Sequence, residues 1–468
     1  MRTSHQVETE HWRVILLRRN ASECLGFQTV AGLDLPRVDI PAYGRAAQAL
    51  NAEVKARWGL DVYSLYPLRA TELADATVRY HVVEALGHEP PAPPDARWIP
   101  IGDVDANCFA EFQDFAAVQT WIDHLARRNS NGYQAPFEKP GWLPALRSLV
   151  QEAVRTVPLT LSGDFLQFNA SSSFSLIRFE TDSDAIWFKA VGEPNTREFP
   201  LTVALASRLG AYTPTVLATQ PLWNAWITLE VPGPRLSQTD ELSAWSNAAR
   251  DLARMQVASI EMAEDILRSQ ARDIRLGTLL GQVAPFFAQL CELMERQTKS
   301  SPPPLSPAEL GQLEIDTRDS LLTLQREGVP DSLGHLDLNP ENIIAAEDRT
   351  VFLDWAEGSV GHPFFSLAYF LEHSLQTFGG NAQAQSFLAR AYAEVWEATR
   401  PVAHPARTFS ASVFLAVFAH AVSTDLWRDD QKLLKPAVAG YYRSLARRMK
   451  RYGDRIRGGV STISEVFA

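Results

Sequence analysis

Asp337, Asn342 and Asp354 are the residues of this 468-residue chain whose types and spacing promise chemistry. They lie in Gly334-His335-Leu336-Asp337-Leu338-Asn339-Pro340-Glu341-Asn342 and, shortly after, in Val351-Phe352-Leu353-Asp354-Trp355. An amide and a carboxylate suit magnesium, a hard cation usually held by one or two protein oxygens plus the phosphates of a substrate. An aspartate outside that pair can orient an attacking hydroxyl and accept its proton. Phosphoryl transfer from a nucleotide requires this combination.

The elements that must position these groups are legible nearby. Asn342 to Ala346 is apolar and branched, Glu347-Asp348-Arg349 is polar and turn-like, and Thr350 to Leu353 is apolar and branched again. This pattern predicts a β-hairpin. Its turn lies midway between Asn342 and Asp354, so antiparallel pairing returns the second strand's end to the first strand's start.

His335-x-Asp337-x-x-Pro340-x-Asn342 followed by Leu353-Asp354-Trp355 resembles the catalytic core of the aminoglycoside phosphotransferase and choline kinase superfamily. The resemblance implies an α+β, two-lobed protein-kinase-like fold with a small β-rich lobe and a large helical lobe. It implies Asp337 as catalytic base, Asn342 and Asp354 as magnesium ligands, and His335 as a structural holder of the loop. The expected reaction moves the γ-phosphoryl group of ATP to a hydroxyl of a small molecule: an aminoglycoside, an amino alcohol or a sugar-like compound. ATP and Mg2+ are the expected cofactors. The alternative is a nucleotide-binding pseudokinase or recognition scaffold.

A kinase also needs a strand lysine for the nucleotide phosphates and a helix glutamate to hold it. Phe174 to Glu180 alternates apolar and polar residues, Asp182-Ser183-Asp184 turns the chain, and Ala185 to Ala190 forms the next strand, carrying Lys189. Glu198 opens the following helical stretch, to Leu209, and is the expected partner of Lys189. Tyr212 to Ala218 and Trp226 to Gly233 are similar to the family's last small-lobe strands and hinge, so Glu230 and Val231 are expected to offer backbone groups to the base. Phe165 to Phe174 is the expected phosphate loop. It has no glycine, and Ser171, Ser172 and Ser173 allow close backbone approach in their place.

Two residues depart from the resembled pattern. Gln256 stands where the family usually has a histidine, keeping hydrogen bonding but not titration. Ser366, in Gly361-His362-Pro363-Phe364-Phe365-Ser366-Leu367-Ala368, replaces the aspartate that ordinarily braces the catalytic loop, which puts loop rigidity in question.

At this length two or three domains are expected. We place an N-terminal α+β domain at 1–128, a linker at 129–141, the small lobe at 142–233 and the large lobe at 234–468. The front domain is expected to have strands at Trp12 to Leu17 and Val78 to Glu84, and helices at Gly44 to Trp58 and Phe109 to Arg127. Ala52 to Leu60 resembles the end of a Nudix box, but only Glu53 and Gly59 of the named pattern survive, as in a degenerate, catalytically inactive copy. An unrelated α+β module is the other reading. With 55 acidic against 44 basic residues the formal charge is −11, which disfavours nucleic acid as a partner. No apolar stretch is long enough to span a bilayer, and Cys24, Cys108 and Cys291 lack metal or disulfide spacing. A soluble, cytoplasmic chain with a small-molecule hydroxyl substrate is expected. The basic stretch from Arg443 to Arg457 reads as a solvated helix end, and His420 and Asp425 as residues that could line a substrate cleft.

Overall fold

The computed structural model describes residues 8–458 apart from Arg19, Tyr43, 69–77, His88, 131–135 and 400–404. The chain forms two compact units, Met1–Phe199 with Thr215–Glu230, and Pro200–Pro214 with Val231–Ala468.

The first unit begins with β1 (Thr9–Arg18), β2 (Glu23–Thr29), β3 (Gly32–Asp34), β4 (Arg37–Pro41), α1 (Ala46–Trp58), β5 (Val62–Pro67), β6 (Arg79–Ala85), β7 (Ala96–Pro100) and α2 (Phe112–Ser130). These strands make one mixed sheet in the order β3-β2-β1-β6-β5, with β4 beside β1 and β7 beside β2. The period-two pattern of β1 explains its central place, because successive side chains face opposite sides of a strand. Trp12, Val14 and Leu16 pack with Leu50 and Val54 of α1, whereas Ile15 and Leu17 join a second core containing Trp121 of α2.

That second core continues into α3 (Leu143–Val154), β8 (Leu161–Ala170), β9 (Phe174–Thr181), β10 (Ile186–Val191), β11 (Val216–Gln220) and β12 (Ala225–Leu229), whereas α4 (Glu198–Arg208), which lies between β10 and β11 in the chain, places Leu201 and Leu205 in the core of the second unit. The strands form an antiparallel sheet ordered β11-β12-β10-β9-β8. Ile177, Phe188 and Ile227 from this sheet, Leu146 and Val150 from α3, and Trp121 and Tyr80 from the front domain belong to one continuous buried cluster. The expected linker is short of regular structure only in part: Asn129 and Ser130 end α2, and 131–135 lie outside the described residues.

The second unit is mainly helical. It comprises α5 (Leu242–Ser259), α6 (Ala263–Arg268), β13 (Arg272–Ile274), α7 (Leu276–Glu295), α8 (Pro307–Glu327), β14 (Ser332–His335), β15 (Ile343–Ala345), β16 (Thr350–Phe352), β17 (Gly358–Gly361), α9 (Phe364–Thr377), α10 (Ala382–Thr399), α11 (Pro405–Val422), α12 (Asp430–Leu433) and α13 (Pro436–Arg457). Helix α8 shows how sequence sets its ends. Ser306 and Glu309 form a reciprocal cap, Pro307 fits the first turn, and Gly328 closes the helix in the left-handed region. The functional segment hangs on two small β elements, the sheet β13-β17-β14 and the hairpin β15-β16. Both rest on a core that includes Trp245, Phe286, Trp355, Phe364 and Tyr392. The basic stretch on α13 is engaged internally: Arg443 donates to the Leu293 carbonyl at 2.7 Å, Arg447 to that of Pro303, and Arg448 pairs with Glu372. Arg457 likewise pairs with Asp316.

Candidate active site

In the first unit, Lys189 and Glu198 meet. The Lys189 ammonium lies 2.6 Å from the Glu198 carboxylate, which is 2% exposed. Strand β10 supplies the lysine from its centre, paired with Leu176 of β9 and Trp226 of β12. The first turn of α4 supplies the glutamate, where its charge also faces the positive helix end. The ammonium sits over the rings of Phe174 and Trp226 at 5.8 and 5.7 Å. This partly dry setting fixes a cation whose ordinary partner would be water.

The segment Phe165 to Ala170, expected as loop, is strand β8, and the turn proper is Ser171 to Ser173. The Ser171 hydroxyl accepts from the Ser173 and Phe174 amides at 3.3 Å each, so it organises the turn from within. The turn is also held from outside, since the Gly192 amide donates to the Ser173 carbonyl at 2.8 Å. A Cβ at Gly192 would stand 2.1 Å from the Ser172 carbonyl oxygen, so only glycine permits this approach. Glu230 behaves differently from the hinge expectation in one respect. Its amide already donates to the Ala185 carbonyl at 2.8 Å, and its carboxylate takes the Arg178 fork at 3.0 and 3.0 Å. Burial opposes ionisation there, yet the Arg178 guanidinium holds the Glu230 carboxyl below the usual range.

In the second unit the polar residues of the expected catalytic loop stand on a buried frame. Leu336, Leu338, Phe352 and Trp355 are buried, and Asp337 and Asp354 face solvent. His335 is wholly buried and bridges both sides of the segment. Its Nε2 donates to the Leu353 carbonyl at 3.0 Å and its Nδ1 accepts the Asp337 amide at 3.2 Å. That pair of bonds fixes one neutral tautomer, and burial, ahead of the opposing carboxylates Asp354 and Asp337, lowers its pKa. The Asn342 side-chain nitrogen donates to the Asp337 carbonyl at 3.2 Å, which turns the amide oxygen the other way. The Leu353 amide donates to the Asn342 carbonyl at 2.8 Å, so the expected hairpin brings the Asn342 and Asp354 backbones together. Asp354 itself has φ 62 and ψ 66, in the left-handed region that a non-glycine residue occupies only under constraint. An outward amide oxygen beside an exposed carboxylate is a donor set that fits magnesium. Among the described residues there is no cluster of three or more His, Cys, Asp or Glu suited to a metal.

The two departures are occupied by structural bonds. The Ser366 hydroxyl, fully buried, accepts the His335 amide at 2.9 Å and so braces the strand that leads into the loop. Gln256, also fully buried, donates to the Pro363 carbonyl at 3.0 Å and accepts the Tyr392 hydroxyl. Sequence reasoning missed Arg272, which donates to Glu357 at 2.9 Å and to the Ser423 carbonyl at 3.0 Å. It also missed His373, whose lowered pKa comes from burial, opposed by Glu372 and Asp337. Neither has a local sequence signal, since each is a single polar residue on a short strand or a helix. His420 meets the Tyr441 hydroxyl, and Asp425 is an exposed partner of Arg428. In the front domain, α1 ends at Gly59 in the left-handed region as the Nudix-like pattern expects, but Glu53, the helix's one acid, is paired with Arg57.

A family model described as the phosphotransferase enzyme family matches residues 200–402. No curated protein matches the chain. Similar solved structures include an ethanolamine kinase from Plasmodium vivax, at 15% identity and TM-score 0.45, covering 71% of this chain and 93% of that one. Another is a macrolide 2'-phosphotransferase from Brachybacterium faecium, at 14% and 0.44, covering 64% and 97%. A choline/ethanolamine kinase family protein from Mesorhizobium loti is similar at 14% and 0.44, covering 69% and 99%. The residues matched by the phosphotransferase enzyme family model include the motif from His335 to Trp355.

Proposed function

We propose that the protein is an ATP- and magnesium-dependent kinase of a small hydroxyl compound. The observation that carries this reading is the catalytic loop, where Asp337 is exposed while its backbone is tied to His335 and Asn342. Asp337 orients the acceptor hydroxyl and takes its proton as the oxygen attacks the γ-phosphorus in line. Lys189, fixed by Glu198, binds phosphate oxygens, and the amides of Ser171 to Ser173 lie in the turn assigned to cover them. Asn342 and Asp354 hold magnesium, which when bound neutralises charge on the phosphates. With the Glu230 amide spent on Ala185, base contact falls to the Glu230 carbonyl and to Val231.

The acceptor belongs to the class of aminoglycosides, amino alcohols and sugar-like compounds. The test is magnesium-dependent ATP consumption against such a panel, with Asp337→Asn beside the unaltered chain. Turnover should fall by on the order of 10²–10⁴ with nucleotide binding retained. Unchanged turnover in the variant, or nucleotide binding without consumption on every acceptor, would remove the catalytic reading in favour of a scaffold.

A further inference from the structure

The front domain and the serine turn are joined by one side chain. Gln167 lies on β8, the edge strand whose chain runs directly into Ser171, and it is 3% exposed. Its amide oxygen accepts the Ser64 backbone N–H at 2.7 Å, and its amide nitrogen donates to the Ser64 carbonyl at 2.8 Å. Ser64 is on β5, the edge strand of the front-domain sheet. The glutamine therefore satisfies both main-chain groups of one edge residue, as a neighbouring strand would. Each strand is irregular at this point: β5 shifts register between Ser64 and Tyr66, and β8 between Gln167 and Asn169. Bulges redirect side chains, and these two let a side chain from one sheet edge serve the other.

Helix α1 completes the arrangement. The Asn51 side chain donates to the Gln167 oxygen at 3.1 Å and accepts the Ser64 hydroxyl at 2.9 Å. Arg45, just before α1, lies 4.9 Å from the ring of Phe168, which packs on Trp187 of β10. The turn at Ser171–Ser173 is thus anchored twice. One anchor is Gly192, which follows the lysine strand, and the other is the front domain through Gln167.

We propose that the front domain is a brace for the Ser171–Ser173 turn, and that Gln167 is the positioning residue through which it sets affinity for the nucleotide's phosphates. The second half of this statement rests on the kinase reading above; the first half does not. A glycine-free turn has no need of flexibility if it is held in place, and preorganised amides lose less entropy when a phosphate binds. The helix that resembles a degenerate Nudix box then has a use in which acidic residues play no part: its Asn51 supports the glutamine.

Hydrogen exchange at the Ser171, Ser173 and Phe174 amides, without nucleotide, tests the brace in the full chain. Gln167→Leu leaves the Ser64 N–H and carbonyl unpaired, and Asn51→Ala is the milder variant should the first fold poorly. Exchange at these amides should rise roughly tenfold, the size that a lost buried hydrogen bond carries. In turnover, KM for ATP should rise by a similar factor, with kcat and the acceptor KM within about twofold. Unaltered exchange in both variants overturns the brace. A fall in kcat with both KM values unchanged reports only less folded protein and overturns the positioning role. If ATP gives the unaltered chain no protection at these amides, the phosphate assignment fails, and the variants' exchange rates still decide the brace.

Discussion

Inside the large lobe, the His335 amide has the Ser366 hydroxyl as its acceptor, and both residues are fully buried. Ser366→Ala leaves that amide buried and unpaired, which costs about 1–3 kcal/mol. Thermal or urea unfolding should show the loss, and kcat should fall with it because His335 in turn accepts the Asp337 amide. A variant as stable and active as the original would show that the brace lies elsewhere. Lys189→Met removes the charge held by Glu198 while keeping the stem's bulk. On the order of a hundredfold or more should be lost from kcat/KM for ATP, measured at fixed acceptor. At this scale the sequence was most informative where residues of different type stood at close spacing, as from His335 to Trp355. It misled where a single residue changed. Ser366 reads as a lost carboxylate, yet a hydroxyl one atom shorter can serve the same amide, and only the packing of α9 on β14 decides whether it reaches.

Strands β13, β14 and β17 frame the proposed catalytic loop with three or four residues apiece. Such segments are too short to carry a readable alternation, so none was legible beforehand, whereas the hairpin β15-β16 was, because a polar turn divides two branched runs. Their pairing depends on close approach. A Cβ at Gly361 would stand 2.6 Å from the Ile274 carbonyl oxygen, across the parallel β13-β17 pair. Gly361→Ala should therefore destabilise the second unit by about 1–3 kcal/mol, the usual cost of overpacking, and a urea midpoint measures it. An unchanged midpoint would mean the strands can separate without penalty. The serine turn illustrates the converse error. The resembled pattern marked Phe165 to Phe174 as the phosphate loop, but residues up to Ala170 are strand, and the polar Gln167 faces inward to a partner that no local pattern reveals.

For the chain as a whole, buried histidines make acid a specific threat. Burial pushes His81 in the first unit and His362 in the second down to about 3, and lowers His335 as well. In the unfolded chain each titrates near 6.5, so below that pH the unfolded state binds protons that the folded state refuses. Stability should be full above about pH 6.5 and decline as pH falls toward 3, by about 1.4 kcal/mol per pH unit for each such histidine. Urea midpoints at pH 7, 6 and 5 check this, and His362→Phe should flatten the slope. A midpoint constant over that range would contradict it. The motif from His335 to Trp355 anticipated the fold class, but not that Tyr80 and Trp121 would share one buried cluster with Ile177 and Phe188. A long-range core of this kind leaves no mark in any window of sequence. A segment cut out at Leu143 would carry Leu146, Val150 and Ile177 without Tyr80, Trp121 and the other front-domain members of their cluster, and so would expose apolar surface that the full chain buries. Gene fusions that keep the first unit whole keep that shared core, and fusions that divide it at Leu143 do not.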